Sequence, residues 1–169
     1  ETGINFFDHA DIYAGGYCEE IFGKSVKRLG INREDIYVQS KCAIRNGYYD
    51  ASKEHILNSV DGILKRLDMD YIDVLLLHRP DTLMEPEEIA QAFDKLESSG
   101  KVKAFGVSNH NPMQIDLIKT CVKQPLVINQ LQFGIAHTGI VDSGINVNTT
   151  FNGAFDKDGS VLEYSRINK

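Results

Sequence analysis

The chain has 169 residues, 42% hydrophobic and 25% charged, which is the composition of one globular domain and excludes a disordered chain or a membrane-embedded one. Lys and Arg total 18 against 24 Asp and Glu, and the formal charge of -6 without any basic block argues against nucleic acid as a partner. Cys18, Cys42 and Cys121 are odd in number, far apart and without a C-x-x-C, so free thiols in the cytoplasm are expected rather than a disulfide framework or a zinc site, and neither a membrane span nor a secretory leader is expected.

In chain order, "INFFD" (4–8) is a buried-strand candidate. Gly3 before it looks like the terminator of a helix upstream of residue 1, so the sequence is expected to start in the middle of a fold. "YCEEIFGKSVKRLG" predicts a helix with Ile21, Phe22, Val26 and Leu29 on one face and Gly30 as its stop. "DIYVQSK" (35–41) is a second strand, and Ser52 can cap a helix whose apolar positions Leu57, Val60, Leu64 and Leu67 keep three-and-four spacing. "YIDVLLLH" (71–78) is the strongest strand, a nearly unbroken apolar run suited to a parallel sheet buried on both faces. Pro86 opens the next helix, with Ile89, Phe93 and Leu96 inward and Gly100 behind it. "VKAFGVSN" is a fourth strand, Asn111 and Pro112 start "PMQIDLIKTCV", and "LVINQLQF" makes a fifth. From Ser143 to Gly159 the chain is rich in Gly, Asn, Thr and Asp, which predicts a long loop ahead of a short helix near "VLEYSRIN".

Five strands with four intervening helices imply an α/β fold with right-handed parallel crossovers. A doubly wound sheet announces its nucleotide site with a Gly-rich turn after the first strand; Gly15 and Gly16 lie there, but without a G-x-G-x-x-G. The barrel alternative gains from the polar residues. Asp8, Lys41, His78, Ser108 with Asn109, and Gln130 each close the C-terminal end of a different strand, and in a (β/α)8 TIM barrel those ends converge on one mouth. The expectation is a partial (β/α)8 barrel over residues 1–169, with about five strands present and 143–169 as a tail of loop plus short helix.

"GINFFDHADIY", "QSKC", "VLLLHRP", "GKVKAFGVSN" and "INQLQF", in this order and rough spacing, resemble the aldo-keto reductases from residue 3 to about residue 142. The resemblance implies that Asp8, Tyr13, Lys41 and His78 are the family's catalytic Asp, Tyr, Lys and His. It likewise implies that Ser108, Asn109 and Gln130 hold the carboxamide of a nicotinamide cofactor, NADP(H), with NAD not excluded. The implied reaction is reduction of a small aldehyde or ketone to an alcohol by hydride transfer, with Tyr13 as general acid and no metal.

The chemistry has its own logic. Reducing a carbonyl needs a hydride for carbon and a proton for oxygen, and an unassisted phenol donates reluctantly near neutral pH. An ammonium about 4 Å away stabilises a phenolate by roughly 4 kcal/mol at an effective dielectric of about 20. In a dry pocket Lys41 needs a carboxylate beside it, which Asp8 supplies, and His78 can orient the carbonyl oxygen. The hydroxyl and amides of Ser108, Asn109 and Gln130 offer matched donors and acceptors for a carboxamide. His9, His55, His110 and His137 lack ligand spacing, Cys42 reads as a core thiol, and His137 with Phe133 is a candidate for the substrate pocket wall.

A complete barrel of this kind takes about 250 residues. Compared with the family, the first strand and the last two strands are expected to be missing, together with the loops that hold most of the cofactor. Exposed barrel edges would then favour self-association. The alternative to a reductase is a non-catalytic or truncated module of the same fold, acting as a cofactor sensor or interaction partner like channel-associated β subunits. An aldolase-like Schiff base on Lys41 would leave Ser108, Asn109 and Gln130 without purpose.

Overall fold

The computed structural model describes residues 3–145 and 159–168. In chain order the elements are β1 (Phe6–Asp8), α1 (Tyr17–Leu29), β2 (Tyr37–Cys42), the short strands β3 (Ile44–Arg45) and β4 (Tyr48–Tyr49), then α2 (Lys53–Leu67), β5 (Ile72–Leu77) and α3 (Pro86–Ser98). There follow β6 (Val102–Ser108), α4 (Pro112–Lys119), β7 (Leu126–Gln130), α5 (Gly139–Ile145) and α6 (Val161–Ile167). β1, β2, β5, β6 and β7 form one parallel sheet in that spatial order, so each main strand pairs with its successor along the chain. A doubly wound sheet must reverse its order once, at the switch point. This one does not reverse, which selects the barrel.

The sheet is also rolled. Gln130 ends one edge strand and Asp8 the other, yet Gln130 Nε2 donates to Asp8 Oδ2 at 3.1 Å. In a flat sheet four inter-strand gaps would part those strands by about 19 Å, more than an Asp and a Gln side chain can span. The five strands are therefore an open half-barrel of α/β class.

Strand alternation sorts the residues between the two faces. Val38 and Cys42 on β2, Leu75 and Leu77 on β5, and Phe105 and Val107 on β6 pack outward into one core with Ile56, Val60, Ile63, Leu67, Ile89, Phe93 and Leu96 of the helices. Phe93 and Phe105 stack there with centroids 4.1 Å apart. Gln39 and Lys41 alternate with those β2 positions and face the barrel interior. On the interior face Gly106 lies opposite Leu76, and a Cβ there would come within 2.5 Å of the Ile128 carbonyl oxygen and 2.7 Å of a Leu76 methyl. Only glycine lets the strands close up at that point.

The helix termini follow their sequence signals. Gly30 closes α1 with φ 63°, Ser52 Oγ accepts from the His55 N–H at the start of α2, Pro86 occupies the first turn of α3, and Asn111 and Gln114 cap α4 reciprocally.

Some expectations need correction. "INFFD" is not a buried strand: β1 covers only Phe6–Asp8 at the sheet edge, with Ile4 and Phe6 exposed. On α1, Ile21 and Leu29 face solvent, whereas Glu19 and Gly23 are buried and Phe22 and Val26 half-buried. The helix approaches α2 so closely that a Cβ on Gly23 would meet the Leu67 carbonyl oxygen at 2.2 Å, which rotates the inward face away from the most apolar stripe. The loop expected from Ser143 begins late, because residues 143–145 complete α5; positions 146–158 of that loop lie outside the described residues. The β3–β4 hairpin was not anticipated, although Asn46-Gly47 between its strands is a turn signal and Gly47 takes φ 88°.

Candidate active site

The mouth begins where β1 ends. Past Asp8 the ladder with β2 continues through His9 N–H to the Gln39 carbonyl (2.9 Å) and Asp11 N–H to the Lys41 carbonyl (3.0 Å). The chain then turns over β2: Tyr13 N–H donates to the Ala10 carbonyl and Gly15 N–H to that of Ile12. Ala14, Gly15 and Gly16 all have positive φ, at 49°, 65° and 93°. Two of the three are glycine, as that backbone demands, while Ala14 stores strain beside Tyr13. At Gly16 the space a Cβ would fill is taken by the Arg66 side chain, at 2.7 Å.

Lys41 is the centre of the cluster. Its side chain is 1% exposed, and Nζ lies 2.7 Å from Asp8 Oδ1, 2.8 Å from the His9 carbonyl oxygen and 3.1 Å from Tyr13 Oη. An ammonium has three N–H donors. All three are therefore committed, one of them to the phenol oxygen, so the Tyr13 hydroxyl hydrogen is left to point elsewhere.

Asp8 receives three side-chain hydrogen bonds, from Lys41, from Gln39 Nε2 at 2.6 Å and from Gln130 Nε2 at 3.1 Å. Burial pushes its carboxyl up, but the bonds from Lys41, Gln130 and Gln39 together outweigh burial and hold it below the usual carboxylate range. The pair is thus an ionised carboxylate and an ammonium that satisfy each other.

His78 follows β5 directly, its N–H donating to the Cys42 carbonyl at 2.8 Å. Its ring meets Tyr13 edge to face, with centroids 5.8 Å apart. Burial, then the charges of Lys41 and Arg79, push the imidazole down to about 4 against the raising effect of Asp8. His78 is neutral at physiological pH, and its Nδ1 is buried with no hydrogen-bond partner. A neutral imidazole in this place can donate one hydrogen bond to an incoming oxygen without contributing charge.

Ser108, Asn109 and Gln130 gather at the neighbouring rim. Ser108 pairs with Gln130 in register, Asn109 Nδ2 donates to Ser108 Oγ at 3.0 Å, and Ser108 Oγ donates to the Gln130 carbonyl at 3.0 Å. Asn109 takes φ 56°, a conformation Asn tolerates, and its Oδ1 accepts from the Gln132 N–H. Hydroxyl and amide groups of both polarities are what a carboxamide needs, so this donor set fits a nicotinamide. Gln130 touches Asp8, and Asp8 touches Lys41, which makes the two clusters one continuous surface.

Two further residues belong to the site. Gln39, 2% exposed, is two positions from Lys41 on the same strand face, and that alternation is the signal by which it could have been found. Glu19 is fully buried beneath the loop, where Oε1 accepts from Ser40 Oγ (2.6 Å) and Oε2 from Arg66 Nε (2.7 Å). Nothing in the sequence pattern marks it, because a buried ion pair between two helices carries no periodic signature. Cys42 is a core thiol, pushed far up by burial. Phe133 is exposed after β7, and His137 pairs with Gly134 in a backbone bridge there.

The Aldo/keto reductase family model matches residues 1–150. The uncharacterized oxidoreductase YcsN of Bacillus subtilis is 45% identical over 142 residues, covering 78% of this chain and 47% of its own length. A probable voltage-gated potassium channel subunit beta of Oryza sativa is 38% identical over 138 residues, covering 74% of this chain and 42% of its own. The holo form of the aldo-keto reductase AKR11C1 from Bacillus halodurans superposes with a TM-score of 0.69 at 31% identity, covering 78% of this chain and 44% of that one. The chain spans about half the length of the curated relatives it matches, 47% for YcsN. With a rolled parallel sheet, a family model over most of its length and relatives of this similarity, the chain belongs to the aldo/keto reductase family.

Proposed function

We propose that this chain carries the reaction centre of an NADP(H)-dependent, cytoplasmic reductase that converts small aldehydes or ketones to alcohols. The observation that carries the proposal is the Lys41 ammonium, buried and bonded at once to Asp8 and to the phenol oxygen of Tyr13. A reduced nicotinamide, when bound, supplies the hydride. Ser108, Asn109 and Gln130 would hold its carboxamide. Tyr13, with its oxygen held by Lys41 and its own hydrogen unassigned, gives the proton to the developing alkoxide in reduction and takes it back in oxidation. Lys41 stabilises the phenolate this leaves, Asp8 keeps Lys41 charged, and neutral His78 donates to the substrate oxygen and fixes its direction. Three unpaired thiols support a reducing compartment.

Likeness to a channel β subunit favours a second reading, a cofactor-holding partner protein without turnover. One experiment separates them. Oxidation of NADPH with a panel of aldehydes is expected to show turnover that falls about 10²-fold or more in Tyr13→Phe, with cofactor binding by fluorescence retained. Cofactor retention without turnover in the unmodified protein would select the second reading, and full activity of Tyr13→Phe would remove the proton-transfer assignment.

A further inference from the structure

The polar groups beneath the Tyr13 loop have no part in the proposed proton transfer. Asp11 lies there with its carboxyl facing Glu19 of α1, Ser59 and Arg66 of α2 and Cys42 of β2, and with the Ile12 N–H from its own loop. Glu19 is fully buried and takes the Arg66 Nε hydrogen bond, so the guanidinium is already paired with Glu19 and acts on Asp11 only as a nearby charge. Asp11 Oδ1 is buried with no hydrogen-bond partner. The same residue's N–H closes the ladder onto the Lys41 carbonyl, two positions before Tyr13.

We propose that Asp11 is a positioning residue for Tyr13: its carboxyl, wedged between α1, α2 and the end of β2, sets how the loop from Ala10 to Gly16 rests over Lys41. The role rests on the reductase reading only for its effect on turnover. Burial, then the Glu19 charge, push the Asp11 carboxyl up to about 6, against Arg66, Ser59 and the Ile12 N–H. A carboxyl whose value is raised on folding binds its proton more tightly in the folded state. Its contribution to stability is therefore fully present below the unfolded value near 3.8 and is lost as pH rises through about 6. The ionised form leaves a charged oxygen buried without a partner, and the protonated form relieves the repulsion from Glu19. The loop is held more firmly at pH 5 than at pH 8.

Hydrogen exchange at the Tyr13 and Gly15 amides, which bond within the loop, tests this in the full chain alongside thermal melts and kinetics. Corrected for intrinsic rates, protection in the unmodified protein should be greater at pH 5 than at pH 8. In Asp11→Asn that pH difference should vanish, and the melting temperature at pH 8 should rise above that of the parent. Asp11→Ala, which removes the wedge altogether, should reduce protection at both pH values and lower kcat about tenfold with KM little changed, since sub-ångström misplacement of a reacting group costs this much. Asn should recover most of the kcat that Ala loses and should lack the inflection near pH 6. A lower melting temperature for Asp11→Asn at pH 8 would mean that ionised Asp11 stabilises the loop through Arg66, and would overturn the proposal. So would unchanged exchange in Asp11→Ala. The exchange arm needs no turnover: a chain inactive toward every carbonyl, yet with pH-dependent loop protection, would sink the reductase reading and leave the role of Asp11 standing.

Discussion

Lys41 and Asp8 differ in how much they depend on each other. The ammonium is almost wholly enclosed, whereas the Asp8 side chain is 35% exposed and keeps amide donors from Gln39 and Gln130. Removing the anion therefore strands a buried cation, while removing the cation leaves a carboxylate that still has partners. Asp8→Ala is expected to cost about 3 kcal/mol and Lys41→Met distinctly less, because an uncompensated buried charge is the dominant penalty. Urea denaturation decides this, and equal costs would mean that Asp8 is not what holds Lys41 charged. His78 makes a second prediction. Held down to about 4, it is neutral from pH 6 to 8, so its ring resonances in NMR should not titrate across that interval.

Among the elements, α1 carries the clearest constraint. Its glycine at position 23 sits against the backbone of α2, and a methyl there would meet the Leu67 carbonyl oxygen, which cannot swing aside as a side chain can. Gly23→Ala should destabilise by about 2–3 kcal/mol through overpacking, although alanine is the better helix former. A stabilised variant would refute the close approach. Asn111→Ala should cost about 1 kcal/mol by opening the cap of α4. These elements also show where sequence is legible. β5 was readable because its six residues are all buried and five of them, all but Asp73, are apolar, and α4 because Asn111, Pro112 and Gln114 form a local signal. The orientation of α1 was not readable. Its apolar residues Ile21, Phe22, Val26 and Leu29 mark one face, but the contact that orients the helix is made by a glycine and an ion-paired glutamate.

Taken as a whole molecule, the fold buries imidazoles in neutral form. His110, buried beside β6 with Nδ1 on the Ser108 carbonyl, and His78 are both pushed down to about 4, chiefly by burial. Each binds a proton near 6.5 when unfolded and near 4 when folded, so the stability it lends is full above about 6.5 and drains away as pH falls towards 4. Asp8 and Asp50, held low in the folded state, add to the loss at acid pH, and Asp11 opposes it. Melting temperature should fall between pH 7 and pH 5, and His110→Asn should reduce that slope. A chain most stable at pH 5 would contradict the balance.

The sequence by itself determined the alternation of strand and helix, most caps and the placing of Asp8, Lys41, His78, Ser108 and Gln130 at strand ends, because periodicity and capping are properties of neighbouring residues. Only the tertiary structure decided that the sheet rolls until Gln130 reaches Asp8, that Gln39 joins the carboxylate, and that Arg66, paired with buried Glu19, packs against Gly16 at the end of the Tyr13 loop. The physical reason is range. Hydrogen bonds between residues tens of positions apart are fixed by packing of whole layers, and no local pattern records them.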